Sequence, residues 1–132
     1  MKVKREVYEK MIEITRKHIP YEACGVLSGL GDTVDEVIEM ENIAKSETFF
    51  EMDPVQLMNV LDDIDNKGKD FIGVFHSHPI TNPYPSKTDL ERNEIIDHVI
   101  FVITSLRNGT PELKAYTIKD KVVKEVEINV ID

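Results

Sequence analysis

Two histidines that flank a single serine and precede a proline, in the sequence HSHP at positions 76–79, constrain the local fold of this chain more than any other feature. Side chains two residues apart point away from each other on a helix but lie on one face of a strand. The proline also restricts the residue before it to extended backbone geometry. We therefore predict a strand that ends at these histidines, with His76 and His78 pointing to the same side as Ile72 and Val74.

A loop that contains three prolines leads from this strand to a second polar pair, Ser86 and Asp89. Zinc binds histidine nitrogen and carboxylate oxygen, and catalytic zinc sites use three protein ligands and one water. The two histidines and Asp89 would supply such a set if the stiff loop turns the chain back toward the strand. The same pair has a structural interpretation, in which Ser86 caps a helix that starts at Lys87 and Asp89 completes a capping box. The residues alone leave both interpretations open.

The order HxHP, Ser86, Asp89 resembles the signature of the JAMM (MPN+) zinc metalloproteases, which remove ubiquitin and ubiquitin-like proteins from conjugates. The resemblance covers most of the chain, including the first helix, the strand that follows Glu22 in PYEACGVLSG, the middle helix and the motif. It points to the compact archaeal and bacterial members, because 132 residues leave little room for the insertions of larger members. The implied fold is α/β, a single domain over residues 1–132 with a curved mixed sheet flanked by helices, similar to cytidine deaminases.

The resemblance implies roles for five residues. His76, His78 and Asp89 would bind one zinc ion per chain. Glu22 would hold the zinc-bound water as general base and then act as acid toward the amine leaving group. Ser86 would donate a hydrogen bond to the oxyanion of the tetrahedral intermediate. Without the resemblance, Glu22 is an ordinary solvated loop residue, because more than fifty positions separate it from the motif.

The resemblance leaves two activities and one non-catalytic role open. The main expectation is hydrolysis of the isopeptide or peptide bond after the C-terminus of a ubiquitin-like modifier. The alternative activity releases an amino acid from a ubiquitin-like sulfur-carrier protein, as some compact relatives do. A third possibility is a binding scaffold of the MPN type that has lost its ligands. The complete set of five residues argues against that scaffold, and the expected partner is a small ubiquitin-like protein.

Four further residues carry side chains capable of chemistry. Cys24 could act as a thiol nucleophile with a motif histidine as base, but its apolar neighbours favour a small buried side chain. His18 lies near the end of the first helix, where a positive charge suits the helix dipole. His98 opens a predicted strand, and neither of these histidines has ligand spacing. Tyr84, in the proline-containing loop, is a candidate for contact with substrate.

Hydrophobic periodicity predicts the remaining elements. The clearest is a helix with Asp53 as N-cap, Pro54 at its first position and Gly68 as its C-terminal cap. Its predicted buried face consists of Leu57, Met58, Leu61 and Ile64. The other predicted elements are a helix over 5–18, strands over 23–29, 35–43 and 70–78, a central strand over 98–105, a turn at Asn108-Gly109, and two paired final strands over 113–120 and 121–132.

Composition excludes several classes of function. The net charge is −9, and the positive side chains are scattered rather than clustered, so nucleic acid is not an expected partner. No window approaches 18 consecutive apolar residues, so no membrane span is expected. The first residues, MKVKREVYEKM, are charged where a signal peptide needs an apolar stretch. With a single cysteine, the chain can form neither an internal disulfide nor a multi-cysteine zinc site, and we expect a cytoplasmic protein.

Overall fold

The strand that carries the two histidines lies inside one mixed sheet. The computed structural model describes residues 1–92 and 99–132, and within those residues its strands form a single eight-stranded sheet. In chain order the elements are β1 (Lys2–Lys4), α1 (Arg5–His18), β2 (Cys24–Leu30), β3 (Thr33–Met40), α2 (Pro54–Asn66), β4 (Asp70–His78), α3 (Lys87–Arg92), β5 (Ile100–Ser105), β6 (Glu112–Lys119), β7 (Val122–Val126) and β8 (Asn129–Ile131). Across the sheet the strands follow the order β7-β6-β5-β4-β2-β3-β1-β8.

The sheet bends until its two edges approach each other. Strands β7 and β8 occupy opposite edges, yet only Glu127 and Ile128 separate the end of β7 from the start of β8. Three steps along an extended chain span at most about 10–11 Å. The two edges must therefore lie close together at this end, and the expectation of a curved mixed sheet is confirmed.

Helices α1 and α2 cover opposite faces of this sheet. One core cluster joins α1 to the sheet, and its buried members include Val7, Met11, Ile14, Leu27, Phe75 and Val102. A second cluster lies between the sheet and α2, and its buried members are Cys24, Val26, Met40 and Ile64. Residues directly opposite each other on paired strands share a face, and Cys24 pairs with His76. The motif histidines therefore lie on the face that α2 covers.

Most of the predicted elements are confirmed. The helix over 5–18 and the strand over 70–78 have the predicted bounds. Asp53 caps α2 by accepting hydrogen bonds from Val55 N and Gln56 N at 2.8 and 3.3 Å, and Gly68 follows the helix with a φ of 70°. β5 lies between β4 and β6, as expected of a central strand, although residue 98 lies outside the described residues. None of the described helices is long and apolar enough to cross a membrane.

The predicted buried face of α2 is wrong at one position. Met58 is 61% exposed. The residues that α2 turns toward the sheet are Leu57, Val60, Leu61 and Ile64. These four follow the spacing i, i+3, i+4, i+7 of one helical face, and Met58 lies on the flank of that face.

Ile72 does not share a face with the histidines, contrary to the prediction. The register of β2 against β4 shifts between Leu27 and Ser28, which face Gly73 and Phe71. This irregularity leaves Ile72 without a partner on β2 and turns it into the core beside α1. Val74, beyond the shift, keeps the predicted orientation and packs in a separate cluster on the other face.

The last predicted strand, 121–132, is in fact two strands. β7 pairs antiparallel with β6 as predicted, whereas β8 pairs parallel with β1 at the opposite edge. Apolar residues at Val126, Ile128 and Val130 continue the alternation through the break. The pattern therefore carries no sign that the chain changes partner.

Candidate metal centre

Four buried side chains from three separate segments converge at the end of β4. The four are Glu22, His76, His78 and Asp89, and their potential ligand atoms all lie within 4.8 Å of one another. Each of these residues is at most 3% exposed. The structure thus brings together four of the five predicted site residues, and the fifth, Ser86, is hydrogen-bonded to Asp89.

Three of the donor atoms form a nearly regular triangle. His76 Nε2 lies 3.1 Å from both His78 Nε2 and Asp89 Oδ2, and His78 Nε2 lies 3.0 Å from the same oxygen. Tetrahedral zinc with bonds of about 2.0–2.2 Å separates neighbouring ligand atoms by about 3.3–3.6 Å. The triangle is close to the size of one face of such a tetrahedron. The donor set of two imidazole nitrogens and one carboxylate oxygen therefore fits a bound metal ion.

A backbone hydrogen bond orients the ring of His78. Its Nδ1 lies 2.8 Å from the carbonyl oxygen of Asn82. A carbonyl only accepts, so Nδ1 carries a proton, and in the neutral ring the lone pair of Nε2 then points toward the triangle. A histidine that binds metal through one nitrogen usually donates its other N–H in this way.

The loop that supplies this carbonyl is anchored to β5 and β6. Ser105 Oγ donates a hydrogen bond to Thr81 O, and Tyr116 donates its hydroxyl proton to Pro83 O. Tyr84 packs the edge of its ring against Tyr116 with 5.5 Å between ring centres, and it remains 49% exposed. Tyr84 is therefore accessible, and its contact with substrate stays a prediction.

His76 is held differently. Its Nδ1 is buried and has no hydrogen-bond partner among the described residues. The ring of Phe50 stacks on its ring, with 4.7 Å between ring centres and 26° between ring planes. At His76, packing against an aromatic ring therefore takes the place of a hydrogen bond to Nδ1.

Asp89 is both a helix cap and a member of the triangle. Ser86 Oγ accepts a hydrogen bond from Asp89 N at 3.0 Å, and Ser86 N donates to Asp89 Oδ2 at 2.9 Å, which is a capping box at the start of α3. The oxygen that closes the box is the same Oδ2 that faces both histidines. The two interpretations left open by the sequence therefore describe one oxygen, and the helix start fixes its position.

Glu22 reaches the centre because Ser77 clamps the residue after it. Ser77 N donates to Ala23 O at 3.0 Å, and Ala23 N donates to Ser77 Oγ at 2.7 Å. These two bonds tie the entry of β2 to the position between the two histidines of β4. The carboxylate of Glu22 is buried at the site, and its Oε1 has no partner among the described residues.

The electrostatics of the centre separate its two carboxyl groups. Burial raises the pKa of the Glu22 carboxyl to about 8. The charge of His78 acts to lower this pKa, and the charge of Asp89 acts to raise it. Burial also acts to raise the pKa of Asp89, but the charge of His76 and hydrogen bonds from both rings and from Ser86 outweigh it and hold this pKa well below its usual range. Burial is the largest single effect on His78 and acts to lower its pKa, but hydrogen bonds with Asp89 and Asn82 O, together with the charges of Asp89 and Glu22, outweigh it and raise this pKa. One carboxylate is therefore suited to cation binding and the other to proton transfer near neutral pH.

Cys24 and His18, the other candidates among the described residues, are not part of this centre. Cys24 is fully buried, its Sγ lies 3.6 Å from Met40 O, and burial with nearby carboxylates raises its pKa to about 12, so the thiolate needed for nucleophilic attack is disfavoured. His18 Nε2 lies 2.7 Å from a carboxylate oxygen of Glu39, outside the group of four. His98 lies outside the described residues.

Sequence patterns did not reveal Ser77 or Phe50 as parts of the site. Ser77 lies inside the motif, but its pairing with Ala23 joins segments that are far apart in the chain. Phe50 lies in the loop between β3 and α2, where no periodicity indicates what an aromatic ring contacts. Covariation between positions in many related sequences would be the signal able to find the contacts of Ser77 with Ala23 and of Phe50 with His76.

Comparisons with known proteins place the chain in a family. The family described as prokaryotic homologs of the JAB domain matches residues 4–119. A desampylase from Pyrococcus furiosus is 34% identical over 108 residues, which is 81% of this chain and 74% of that protein. A CysO-cysteine peptidase from Mycobacterium tuberculosis is 29% identical over 132 residues, which is 98% of this chain and 90% of that protein.

A solved structure supports the same assignment. A protein from Desulfitobacterium hafniense superposes with a TM-score of 0.90 and 32% identity, over 100% of this chain and 94% of that one. A JAB1/MPN domain protein from Archaeoglobus fulgidus superposes with a TM-score of 0.68 and 24% identity over 100% of both chains, which confirms the expectation of a JAMM/MPN fold. The family match over most of the chain, together with these relatives, shows that the chain belongs to the prokaryotic JAB-domain family, the compact form of the JAMM/MPN metalloproteases.

Proposed function

We propose that this JAMM-type hydrolase is a zinc metallopeptidase that cleaves the isopeptide or peptide bond after the C-terminus of a ubiquitin-like modifier, with residues 1–132 as one catalytic domain. One observation supports this most strongly. A triangle of two imidazole nitrogens and one carboxylate oxygen lies buried beside a second carboxyl group whose pKa is near 8. Three ligands and a neighbouring base are the components that zinc-dependent hydrolysis needs.

The ligands in this proposal are His76 Nε2, His78 Nε2 and Asp89 Oδ2, since two imidazole nitrogens and one carboxylate oxygen are a ligand set that catalytic zinc uses. When bound, zinc lowers the pKa of its water to about 7 and polarises the carbonyl of the scissile bond. The protein keeps the three donor atoms in place before metal arrives. Asn82 O fixes one ring, Phe50 packs on the other, and Ser86 N holds the carboxylate.

Glu22 moves the proton in this proposal. Its Oε1 has no partner among the described residues, so a lone pair is available to accept a proton from the attacking water. The same oxygen then gives that proton to the nitrogen of the leaving amine as the C–N bond breaks. A carboxyl group within reach of both the water and the leaving nitrogen can make both proton transfers.

Ser86 stabilises the oxyanion in this proposal while it also caps α3. Its Oγ accepts the hydrogen bond from Asp89 N. A serine hydroxyl can accept and donate at the same time. The cap therefore leaves the hydroxyl proton of Ser86 available for the oxygen that becomes negatively charged as water adds to the carbonyl.

Variants at Ser86 separate capping from catalysis. Ser86→Ala is expected to lower the free energy of unfolding by about 0.5–2 kcal/mol, because the cap is lost. Ser86→Asp is expected to keep most of that stability, since an ionised carboxylate caps well but has no proton to donate. Both variants should lose about 10²–10³ in kcat, as expected for one missing oxyanion donor. Thermal melting, zinc content and kcat would be measured for each.

Asp53→Ala is the matched control for these variants, because Asp53 caps α2 with the same kind of hydrogen bond away from the site. It should lose stability and keep its kcat. An active Ser86→Asp enzyme with normal zinc content would mean that Ser86 serves only as a cap.

The relatives support two candidate substrates. The desampylase has the higher identity, and the CysO-cysteine peptidase matches over more of both chains. Breaking a bond after the C-terminus of a small ubiquitin-like protein is common to both proposals. Removal of a single amino acid from a ubiquitin-like sulfur carrier is therefore the second candidate function, with the same residues in the same roles.

A comparison of two substrates tests the proposal. One is a ubiquitin-like modifier joined through its C-terminus to a lysine side chain, and the other is the same kind of protein capped by one amino acid. Faster cleavage of the lysine conjugate would support the main proposal, and cleavage of the capped protein alone would support the second. A fully zinc-loaded protein that cleaves neither would contradict both and favour a binding scaffold.

A further inference from the structure

We propose that Asn42 is a positioning residue that holds both Glu22 and Phe50 at the metal centre. Asn42 follows β3 at the start of the loop that leads to α2. Its link to catalysis rests on the proposed function, whereas its link to metal binding does not require a substrate. Asn42 is not a ligand, and it acts through the backbone of Glu22 and of the two residues that flank Phe50.

The side chain of Asn42 uses its full hydrogen-bonding capacity. Nδ2 donates to Glu22 O at 3.0 Å and to Phe49 O at 3.1 Å. Oδ1 accepts from Ala44 N and from Glu51 N, each at 3.1 Å. A primary amide has two protons and two lone pairs, and all four are used here. The residue is 5% exposed, so water does not readily replace these partners.

One of these bonds completes the backbone of Glu22. This residue precedes β2 and receives no ladder hydrogen bonds from the sheet. Its N–H donates to Ser46 O at 2.9 Å, and its carbonyl accepts from Asn42 Nδ2. Buried backbone groups need hydrogen-bond partners. The loop that Asn42 organises therefore supplies the partners of both backbone groups of Glu22, the proposed base.

Two other bonds fix the residue that stacks on His76. Phe49 O and Glu51 N, the backbone groups on either side of Phe50, both bind the Asn42 amide. His76 Nδ1 has no hydrogen-bond partner among the described residues, so the ring orientation depends on its packing. Phe50 supplies part of that packing through its stacked ring. Moving this segment would therefore release one metal ligand.

Asparagine suits this position better than aspartate or alanine does. Aspartate would keep the two acceptor contacts but set a carboxylate oxygen against the carbonyl oxygens of Glu22 and Phe49. Alanine would remove all four of these hydrogen bonds. Groups that orient metal ligands from outside typically change metal affinity or activity by about 10–100-fold when they are removed.

The test compares Asn42→Asp and Phe50→Leu with Val3→Ala. Val3 is a fully buried core residue on β1, so its truncation lowers stability without touching the centre. Zinc affinity would be measured by competition with a chelating dye. We expect about 10–100-fold weaker binding in Asn42→Asp and in Phe50→Leu. Val3→Ala leaves the loop and the stacked ring unchanged, so it should bind zinc like the wild type.

The double variant Asn42→Asp/Phe50→Leu decides whether the two residues act through one route. We expect its zinc affinity to be about that of the single variant with the lower affinity, because the loop and the ring act on the same ligand. At saturating zinc, Asn42→Asp should also lower kcat more than it raises KM, since it displaces Glu22. Zinc binding in Asn42→Asp as tight as in Val3→Ala, or fully additive losses in the double variant, would overturn the proposal. Because zinc binding is read without substrate, a failure of the peptidase proposal would appear separately, as a wild type that binds zinc and cleaves nothing.

Discussion

Glu22→Gln is expected to fold and bind zinc like the wild type while its rate of hydrolysis falls by about 10²–10⁴, the range for loss of a general base. The amide has nearly the same size and can still hydrogen-bond the water, but it cannot take a proton from it. Burial already disfavours the charged form of Glu22, whose pKa is raised to about 8. Replacing the carboxyl with a neutral group should therefore not destabilise the fold. Turnover, zinc content and thermal melting would be measured on the same preparations.

Glu39→Gln is the matched control for that experiment. Glu39 lies on β3 and pairs with Lys17 and His18, away from the group of four. The same chemical change there should leave turnover near the wild-type value. A Glu22→Gln protein that turns over a verified substrate at the wild-type rate would remove Glu22 from the mechanism.

Asp89→Ala is expected to lose most of its bound zinc and, with it, hydrolysis. The change removes the only carboxylate oxygen of the donor triangle and leaves two neutral ligands, which hold zinc poorly. It also opens the capping box, since Asp89 Oδ2 accepts from Ser86 N. Elemental analysis of the purified variant, with His78→Ala beside it, would give the zinc content per chain.

Asp89→Asn separates the two roles of this residue. The asparagine oxygen can still accept from Ser86 N and keep the cap, while a neutral amide is a weaker zinc ligand. We therefore expect Asp89→Asn to melt closer to the wild type than Asp89→Ala does, but to lose zinc as well. Full zinc occupancy and activity in Asp89→Ala would mean that Asp89 only caps α3.

The features predicted from the sequence are those set by local geometry. Period-two alternation and the proline at position 79 predicted that His76 and His78 share a face, and their Nε2 atoms lie 3.1 Å apart. The start of α3 followed from Ser86 and Asp89, and that of α2 from Asp53 and Pro54. Each of these signals acts over a few residues, so the rest of the fold was not needed to interpret them.

The features that were missed depend on contacts between distant segments. The approach of Glu22 requires the pairing of Ala23 with Ser77 and the bond from Asn42. The face of β4 predicted for Ile72 was wrong because the register between β2 and β4 shifts near this residue. The sequence of one strand does not reveal such a shift. Only the resemblance indicated Glu22, because a family signature carries long-range information that periodicity does not.

Titration of the chelated protein with zinc, followed by hydrolysis of a ubiquitin-like conjugate, tests most directly whether this centre is a metallopeptidase site. Chelation should abolish hydrolysis, because His76, His78 and Asp89 then hold no metal. Added zinc should restore activity in proportion to the amount bound, with the gain ending at one zinc per chain. Full activity in the chelated protein, or one bound zinc per chain that restores no hydrolysis of any ubiquitin-like substrate, would contradict this assignment.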